Sequence, residues 1–371
     1  MSTITISHPE IGALKSEIDT PALCVDLGVL DSNIDSMAAT CSSHNVAWRP
    51  HCKCHKSSVI AKKVIEAGAI GITCAKLGEA EVMAAGGVSD LLIANMIVGQ
   101  PKLDRLVQLR RVADPIVCID HPDQAKALSE AMSRADLKLR TIAEVDIGLN
   151  RVGIAPGEQT VSLAKRLAEL PGLTFSGIMG YEGHLLTVED QQEKTTRIHE
   201  ALDTLVECKS DIESVGIDCE IVSCGGTGSY FISVLHPGIT EVQAGGGIFM
   251  DAFYRNICQV PELQYAVTVT TTVVSRPTRD RAIIDAGRKT LNQELHKPLV
   301  AGRQDITVEQ LSAEHGRLDL LDTAQDLKIG DRLELIPGYV DFTNMLHNFF
   351  YVFRDNRLEA IWPIEARGMV R

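Results

Sequence analysis

The sequence lacks the features that mark membrane, exported and nucleic-acid-binding proteins. No apolar run among its 371 residues is long enough to span a bilayer, and its N-terminus has no basic segment followed by an apolar one. Acidic residues outnumber basic ones by 49 to 36, which gives a net charge of −13. Such a charge argues against nucleic acids and acidic membrane surfaces as partners, although a small anionic substrate responds only to the local field of a cleft.

Cysteine motifs are missing too. The ten cysteines show no CxxC spacing, and several lie in apolar runs such as residues 116–119. This pattern is typical of buried, reduced thiols and predicts a cytoplasmic protein. Cys52, Cys54 and His55 resemble half of a zinc site, but no second Cys/His cluster lies at finger spacing. Aromatic residues make up only 4% of the chain, so its apolar content of 45% indicates a large aliphatic core.

Short β-rich runs alternate with longer segments of helical periodicity through the first 250 residues or so. Eight such strands separated by helices favour a closed (β/α)₈ TIM barrel over a doubly wound sheet. The strands are predicted at residues 46–53, 71–74, 90–94, 115–119, 141–145, 174–179, 220–223 and 241–243. The helices are predicted at residues 57–67, 77–85, 101–112, 123–135, 159–170 and 188–214.

The sequence changes in character after about Pro261. Val and Thr become frequent, polar and apolar residues alternate, and Asp355-Asn356 separates two β-rich runs as a hairpin turn would. These patterns predict a C-terminal, mostly antiparallel β-domain. Its strands are predicted at residues 264–274, 281–285, 331–335, 348–354 and 357–362.

The most informative segment is Arg49-Pro50-His51-Cys52-Lys53-Cys54-His55-Lys56, which follows the short apolar stretch 46–48. Alternate residues of a strand share a face, so Arg49, His51 and Lys53 are expected to point one way, and Pro50 and Cys52 the other. A lysine held among other bases has a lowered pKa and becomes a nucleophile toward a carbonyl. A basic surface loop is the alternative, but such a loop has little use for a proline and two cysteines at these positions.

Further polar residues follow the predicted barrel strands, where barrels of this kind carry their chemistry. Lys53 ends the first strand, and Arg151 follows the fifth. Tyr181 follows the sixth strand in a loop with glycines on both sides, which allow a sharp turn. Each residue has a structural alternative. Arg151 would pair with Asp146 at the surface, and Tyr181 would be a core tyrosine with a satisfied hydroxyl.

Two glycine-rich segments follow the seventh and eighth strands. The first contains Gly226, Thr227 and Gly228, and the second contains Gly246 and Gly247. Glycines let backbone N–H groups converge on a phosphate without interference from Cβ atoms, and a hydroxyl adds one donor. Many barrels bind phosphate after strands seven and eight. The two segments together therefore predict a phosphate site.

The segment Arg49-Pro-His51-x-Lys53-x-His55-Lys56-Ser57 resembles the cofactor-lysine motif of the D-threonine aldolase / D-serine dehydratase family. Members of that family are pyridoxal-phosphate enzymes with the alanine-racemase-like fold. The resemblance extends over almost the whole chain, from residues 19–23 to residues 362–368. It implies that Lys53, and not Lys56, binds the aldehyde of pyridoxal 5'-phosphate.

The resemblance also implies partners for the cofactor and the layout of the molecule. Arg151 is expected to hydrogen-bond the cofactor's phenolic oxygen, and Tyr181 to pack on the pyridine ring or bond to it. The barrel is expected to span residues 22–258. The β-domain is expected to combine residues 1–21 with residues 259–371, and the protein is expected to form a head-to-tail homodimer.

The chain departs from the family at the divalent-metal site of the C-terminal domain. The family signature there, Pro-Gly/Asn-His-x-Asp/Cys-x-Thr, aligns with residues 337–343, where Asp341 keeps the acid and Tyr339 replaces the histidine. A neutral phenol is a poor ligand for Mn or Mg because its pKa is near 10. We therefore expect a metal site at Asp341 that is weak or absent, and Tyr339 becomes a candidate acid/base residue. The alternative is that Tyr339 only packs.

The resemblance implies that the substrate is a small β-hydroxy-D-amino acid of the D-threonine or 3-hydroxyaspartate type. The cofactor stabilises a carbanion at Cα. Removal of the β-hydroxyl proton, by His51, His55, Tyr339 or a weak metal at Asp341, breaks the Cα–Cβ bond, and the electron pair of that bond becomes this carbanion. The products are glycine or a related amino acid and an aldehyde.

We rank this aldolase reaction first, dehydration second and racemisation third. A non-catalytic pyridoxal-phosphate carrier is an alternative from another class, but such carriers resemble the barrel alone. Arg288 is a candidate for binding a second substrate carboxylate, as in 3-hydroxyaspartate. His184 is a further candidate in the segment of Tyr181, and Tyr254 is one near the phosphate. Glu314 and His315 are candidates for the site or the dimer interface.

Overall fold

The computed structural model describes residues 8–371, and the packing of these residues divides the chain into two units. The barrel unit comprises Ile34–Gly247, Tyr254–Glu262 and Glu365–Arg371. The β-unit comprises the described residues up to Asn33 together with Ile248–Phe253 and Leu263–Ile364. No helix within residues 8–371 combines the length and the apolar character that a membrane span requires.

The strands and helices are numbered in chain order. The strands are β1 (Ala22–Asp26), β2 (Ala47–Trp48), β3 (Ile72–Cys74), β4 (Asp90–Ile93), β5 (Asp114–Ile119), β6 (Leu139–Glu144), β7 (Leu173–Met179), β8 (Ile221–Cys224), β9 (Glu241–Val242), β10 (Val267–Thr278), β11 (Arg281–Ile284), β12 (Leu299–Val300), β13 (Ile306–Leu311), β14 (Gly316–Leu320), β15 (Arg332–Ile336), β16 (Phe349–Arg354) and β17 (Arg357–Pro363). The helices are α1 (Leu27–Ser43), α2 (Ser58–Glu66), α3 (Leu77–Ala85), α4 (Gln100–Val112), α5 (Pro122–Arg134), α6 (Glu158–Glu169), α7 (Gln191–Ser214), α8 (Tyr230–Ser233), α9 (Ala252–Asn256) and α10 (Val340–Asn344).

Strands β2 to β9 form a parallel sheet of eight strands, in the order β2-β9-β8-β7-β6-β5-β4-β3. The segment after β2 joins β3 and so closes the barrel. His51 and Thr73 form a parallel bridge there, and the Thr73 N–H donates to the Pro50 carbonyl. The predicted (β/α)₈ barrel is confirmed. Strands β4 and β5 read as apolar runs because both of their faces are buried, as in other parallel sheets.

The six predicted helices correspond to α2 to α7, and their ends agree to within three residues. The helix ends follow from local hydrogen bonds. α5 begins one residue before the predicted start because His121 caps it by accepting the Asp123 N–H. α7 begins at Gln191 and not at residue 188, since the Asp190 carboxylate accepts the N–H of Glu193 at 2.8 Å.

The predicted first strand, residues 46–53, is wrong at its C-terminal end. β2 covers only Ala47–Trp48, and Cys52–Cys54 forms a 3₁₀ turn in which the Cys52 carbonyl accepts the N–H groups of His55 and Lys56. The alternation of faces therefore stops before Lys53.

The β-unit contains a nine-stranded sheet in the order β11-β14-β13-β12-β15-β10-β1-β16-β17. All its neighbouring strands are antiparallel except β1 and β16, which are parallel. The predicted antiparallel β-domain is confirmed. Asp355 and Asn356 have φ values of +50° and +61°, as expected for a tight turn that joins β16 to β17.

The division into units differs from the predicted domain boundaries of 22–258 and 259–371. Residues 22–33 fall in the β-unit, because β1 pairs with β10 and β16. The last residues, Glu365–Arg371, fall in the barrel unit, where Glu365 accepts hydrogen bonds from the N–H and hydroxyl of Ser58. The predictions for residues 1–7, that they join the β-domain and contain no signal peptide, lie outside the described residues.

Candidate active site

A cleft of about 310 Å³ lies where the barrel strands end and their loops begin, and every residue that lines it belongs to the barrel unit. The cleft brings together predicted residues from five separate stretches of sequence. They are His51, Lys53, Arg151, Tyr181, Gly226, Thr227, Gly246 and Tyr254. Two polar residues that the sequence analysis missed, Asn95 and Gln243, also line it.

Lys53 reaches this cleft from the 3₁₀ turn. Neighbouring cysteines hold the turn on two sides. The Cys52 and Cys74 sulfurs lie 3.7 Å apart, and the Cys54 thiol donates to the Gly245 carbonyl at 3.4 Å. A Cβ atom at Gly245 would collide with the backbone of His51, so only glycine fits beside the turn. The two cysteines of the motif therefore anchor the turn that carries the lysine.

The second lysine of the motif is committed elsewhere. The Lys56 ammonium forms a buried ion pair with Glu79. The other oxygen of Glu79 accepts the N–H groups of Ala75 and Lys76, so the pair holds the loop after β3. Since Lys56 is buried in this pair and Lys53 lines the cleft, the geometry favours Lys53 as the cofactor lysine.

Arg49 is also committed to the structure. Its guanidinium donates to Glu241 at 2.8 Å and to Asp90 at 2.7 Å, and the side chain is 2% exposed. The expectation that Arg49 points the same way as His51 and Lys53 is therefore wrong, whereas His51 and Lys53 both line the cleft. Lys53 enters the cleft because of the turn that begins after His51.

The two histidines of the motif have different surroundings. Burial lowers the pKa of His51 well below its usual value, and the charges of Lys53 and Lys56 lower it further. The His51 ring is therefore neutral. Its Nδ1 accepts the Lys53 N–H at 3.3 Å, which assigns its hydrogen to Nε2. His55 is 1% exposed, its Nδ1 accepts the N–H of Ser57, and burial lowers its pKa to about 3. Of the two, only His51 lines the cleft.

Arg151 and Tyr181 lie side by side in the cleft. The guanidinium carbon of Arg151 lies 5.8 Å from the centroid of the Tyr181 ring. Burial raises the pKa of Tyr181 to about 12, so its hydroxyl is neutral. Arg151 lies 3.9 Å from the buried Glu144 carboxylate, whereas Asp146 accepts the N–H groups of its own loop. The surface pair between Arg151 and Asp146, considered as an alternative, does not describe this loop.

The two glycine-rich segments face each other across one end of the cleft. A Cβ atom at Gly226 would lie 2.6 Å from the Tyr181 hydroxyl, and one at Gly246 would lie 2.8 Å from the Tyr254 ring. The Gly247 N–H donates to the Thr227 hydroxyl oxygen at 3.1 Å, which leaves the Thr227 hydroxyl hydrogen available to a ligand.

Buried amides in these segments provide a direct test of fit for a phosphate. Within the described part of the chain, the N–H groups of Thr227 and Gly246 donate to no acceptor. Both residues are buried, and buried amides without partners are costly. A bound phosphate satisfies such donors. The segments therefore fit the phosphate of pyridoxal 5'-phosphate, with Lys53 in the same cleft for its aldehyde.

Gly228 and Gly247 help to hold the two glycine-rich segments in place. A Cβ atom at Gly228 would lie 3.1 Å from Leu186 and 3.2 Å from Cys258, so the loop needs glycine there to pack against the barrel unit. Gly247 contributes its N–H to Thr227.

Tyr339 and Asp341 belong to the β-unit, at the start of α10. The Tyr339 hydroxyl donates to Asp341 Oδ2 at 3.0 Å, and its ring packs edge-on against Phe253 and Phe342. The Asp251 carboxylate accepts the Val340 N–H nearby. One Asp341 oxygen is thus already bound by a phenol, and no group of three or more His, Cys, Asp or Glu residues in 8–371 is placed to hold a metal ion. A neutral phenol and one carboxylate are a poor set of ligands for a divalent cation, so a weak or absent metal site at Asp341 stays a prediction.

The remaining candidates lie apart from the cleft lining or in the β-unit. His184 packs over Gly148 on the barrel unit. Arg288 donates to the Leu311 carbonyl, and Glu314 pairs with Lys289 at 2.5 Å, all within the β-unit. His315 belongs to the same loop, where its carbonyl accepts the N–H of Ser312.

Two matches to family models cover most of the chain. Residues 25–252 match the alanine racemase N-terminal domain, and residues 266–353 match the putative serine dehydratase domain.

Among curated proteins, the chain is 36% identical to a D-threonine aldolase of an Arthrobacter species, over 96% of this chain and 94% of that protein. It is 34% identical to a 3-hydroxy-D-aspartate aldolase of Paracoccus denitrificans, with the same coverage. The crystal structure of D-threonine aldolase from Filomicrobium marinum superposes with a TM-score of 0.95 at 36% identity, over 99% of this chain and 100% of that one.

Proposed function

The chain belongs to the D-threonine aldolase / D-serine dehydratase family of alanine-racemase-like proteins, and from this membership we infer that it cleaves β-hydroxy-D-amino acids into glycine or a related amino acid and an aldehyde. We propose that it uses pyridoxal 5'-phosphate as cofactor. The observation that carries this proposal is the single cleft in which Lys53 lies together with the Thr227 and Gly246 amides.

Different residues of the cleft would hold different groups of the cofactor. Lys53 would hold the aldehyde, and the segments with Gly226–Gly228 and Gly246–Gly247 would hold the phosphate. Arg151, the cationic side chain beside Tyr181, would hold the phenolic oxygen. When bound, the cofactor supplies an electron sink for a carbanion at the substrate Cα.

The chain's own residues manage the protons. His51 is neutral and carries its hydrogen on Nε2, so we propose that it donates a hydrogen bond to a substrate oxygen. Cleavage also needs a group that accepts the proton of the β-hydroxyl. We propose that Tyr339 takes this proton as its own hydrogen moves along the 3.0 Å bond to Asp341.

We further propose a head-to-tail homodimer in the cytoplasm. The ten cysteines are free and buried, as expected in a reducing compartment. Small amino acids are the proposed substrates, and the net charge of −13 disfavours nucleic acids and acidic membranes as partners.

Product analysis tests the reaction. Incubation with D-threonine is expected to give glycine and acetaldehyde, and 3-hydroxy-D-aspartate is expected to give glycine and glyoxylate, since cleavage of the Cα–Cβ bond leaves the Cα fragment as glycine. The L-isomers of the same amino acids are the controls and should remain intact. Mass spectrometry separates the alternatives. A 2-oxo acid without glycine would establish a dehydratase, and an inverted stereoisomer would establish a racemase.

Treatment with a chelator tests whether the activity depends on a divalent metal ion. Because the Tyr339 phenol already binds one oxygen of Asp341, we expect EDTA to change the initial rate by less than about twofold. The matched variant is Tyr339→His, which restores an imidazole ligand beside Asp341. That variant should become dependent on added Mn²⁺. Complete loss of wild-type activity in EDTA with full recovery in Mn²⁺ would contradict the proposal.

A further inference from the structure

A chain of hydrogen bonds crosses the interior of the barrel and ends in the cleft. The Arg49 guanidinium donates to Glu241 Oε2 at 2.8 Å, and the Ser223 hydroxyl donates to Glu241 Oε1 at 2.7 Å. The Gln243 amide then donates from Nε2 to the Ser223 oxygen at 2.9 Å. Arg49, Ser223 and Glu241 are all at most 2% exposed, whereas Gln243 lines the cleft.

The donors and acceptors of each side chain determine the direction of every hydrogen bond in this network. A guanidinium has only donors, so Glu241 accepts from Arg49 as a carboxylate. A carboxylate has only acceptors, so the Ser223 hydrogen points to Glu241, and the Ser223 oxygen can only accept from its other neighbour. Gln243 must therefore turn its NH₂ group toward Ser223. The flipped amide would place two acceptors face to face.

The second hydrogen of the Gln243 amide also has a partner. Nε2 lies 3.9 Å from the Met179 sulfur, a weak acceptor on the neighbouring wall. The amide nitrogen is thus directed into the barrel, and the carbonyl oxygen Oε1 is left for the cleft. The Arg49 end is fixed as well. A Cβ atom at Gly71 would collide with the Arg49 guanidinium, and Asp90 holds that guanidinium from a second side.

We propose that the Gln243 side-chain carbonyl is a pre-oriented hydrogen-bond acceptor for the ring N–H of the bound cofactor, and that Ser223, Glu241 and Arg49 are positioning residues that fix its orientation. This inference rests on the proposed function, because it takes pyridoxal 5'-phosphate as the ligand of the cleft.

The ring nitrogen is the group of the cofactor that Gln243 would contact, because the other groups are assigned to other residues. The Gln243 backbone carbonyl accepts the His51 N–H just before the turn that carries Lys53, and Gly246 of the second glycine-rich segment follows three residues later. The aldehyde of the cofactor is assigned to Lys53, and its phosphate to the segments that contain Thr227 and Gly246. The phenolic oxygen, an acceptor when ionised, is assigned to Arg151. The ring nitrogen in its protonated form is the cofactor group that remains to donate.

The chemical consequence concerns the electron sink. A neutral carbonyl acceptor favours the protonated ring over the unprotonated one, because an unprotonated nitrogen facing Oε1 would be two acceptors in contact. A flipped amide would present N–H and favour the unprotonated ring. The hydrogen bonds that link Gln243 to Ser223 and Glu241 therefore determine which protonation state of the ring nitrogen the site favours.

Equilibrium binding to this chain, stripped of cofactor, tests the inference without depending on turnover. The probes are pyridoxal phosphate and its 1-deaza analogue, in which a C–H replaces the ring nitrogen. The wild-type chain is expected to bind pyridoxal phosphate about tenfold or more tightly than the analogue, as expected for one hydrogen bond to a charged donor. Gln243→Leu should bind the two probes equally, and Ser223→Ala should lose most of the preference although it keeps Gln243.

Met96→Leu, an apolar change in the same cleft, is the matched control and should keep the preference. Thermal melting of each variant shows that it is folded. A preference that persists in Gln243→Leu overturns the inference. If Gln243→Leu keeps the preference but raises KM for D-threonine, the acceptor serves the substrate, and the assignment to the cofactor is wrong. A wild-type chain that binds neither probe contradicts the proposed function itself.

Discussion

Lys53→Ala is expected to abolish turnover, with a loss of about 10³-fold or more in kcat, because the variant lacks the amine that binds the cofactor's aldehyde. Among the described residues that line the cleft, Lys53 is the only lysine, and the ammonium of Lys56 is buried in its pair with Glu79. The absorbance band of lysine-bound cofactor should disappear as well. Borohydride reduction of the wild-type protein followed by peptide mapping should place a pyridoxyl group on residue 53.

Lys56→Arg is the matched control for this prediction. Arginine keeps the positive charge beside Glu79, so the loop after β3 stays in place, but it cannot form an imine with the cofactor. The pyridoxyl group should remain on Lys53 in this variant. Detection of the label on residue 56 of the wild-type protein, or turnover by Lys53→Ala, would contradict the assignment.

The barrel could be predicted because its strands are buried on both faces. Apolar runs such as Leu91–Ile93 and Ile116–Ile119 stand out between amphipathic helices, and their spacing determines the count of eight. The end of β2 could not be predicted in this way. The alternation of residues 49–53 resembles a strand, and the 3₁₀ turn that replaces it depends on hydrogen bonds from His55 and Lys56 to Cys52. The assignment of Lys53 rested on the family resemblance and on a strand alternation that the 3₁₀ turn interrupts.

Domain boundaries were harder to predict because they depend on pairings between distant segments. β1 looks like any apolar strand, and only its pairing with β10 and β16 places it in the β-unit. β13 and β14 form a hairpin whose short strands were not predicted.

The site was predictable where its chemistry requires unusual residues and obscure where it does not. Glycines after two successive strands mark a phosphate cradle, whereas a glutamine at a strand end has many structural uses. Gln243 follows its strand just as Lys53 does, and that position was the signal available. Its orientation depends on Ser223 and Glu241, and that dependence appears only in three dimensions.

Tyr339→Phe is expected to lower kcat by about 10²-fold or more, within the range that general acid–base groups contribute. The change removes one oxygen and keeps the ring that packs edge-on against Phe253 and Phe342. The loss should therefore come from the missing proton path to Asp341 and not from a disturbed core. Steady-state kinetics with D-threonine measure the effect, and cofactor binding should stay as in the wild-type protein.

Asp341→Asn separates the proton path from simple hydrogen bonding. An amide oxygen still accepts the Tyr339 hydroxyl, but it does not take up a proton at neutral pH, so the relay is broken while the contact survives. If Tyr339 and Asp341 act as one unit, the double variant should be no slower than the worse of the two single variants, because groups that act together show non-additive losses. Independent, multiplying losses would show that the pair does not share the proton. An unchanged rate in Tyr339→Phe would leave the tyrosine with a packing role alone.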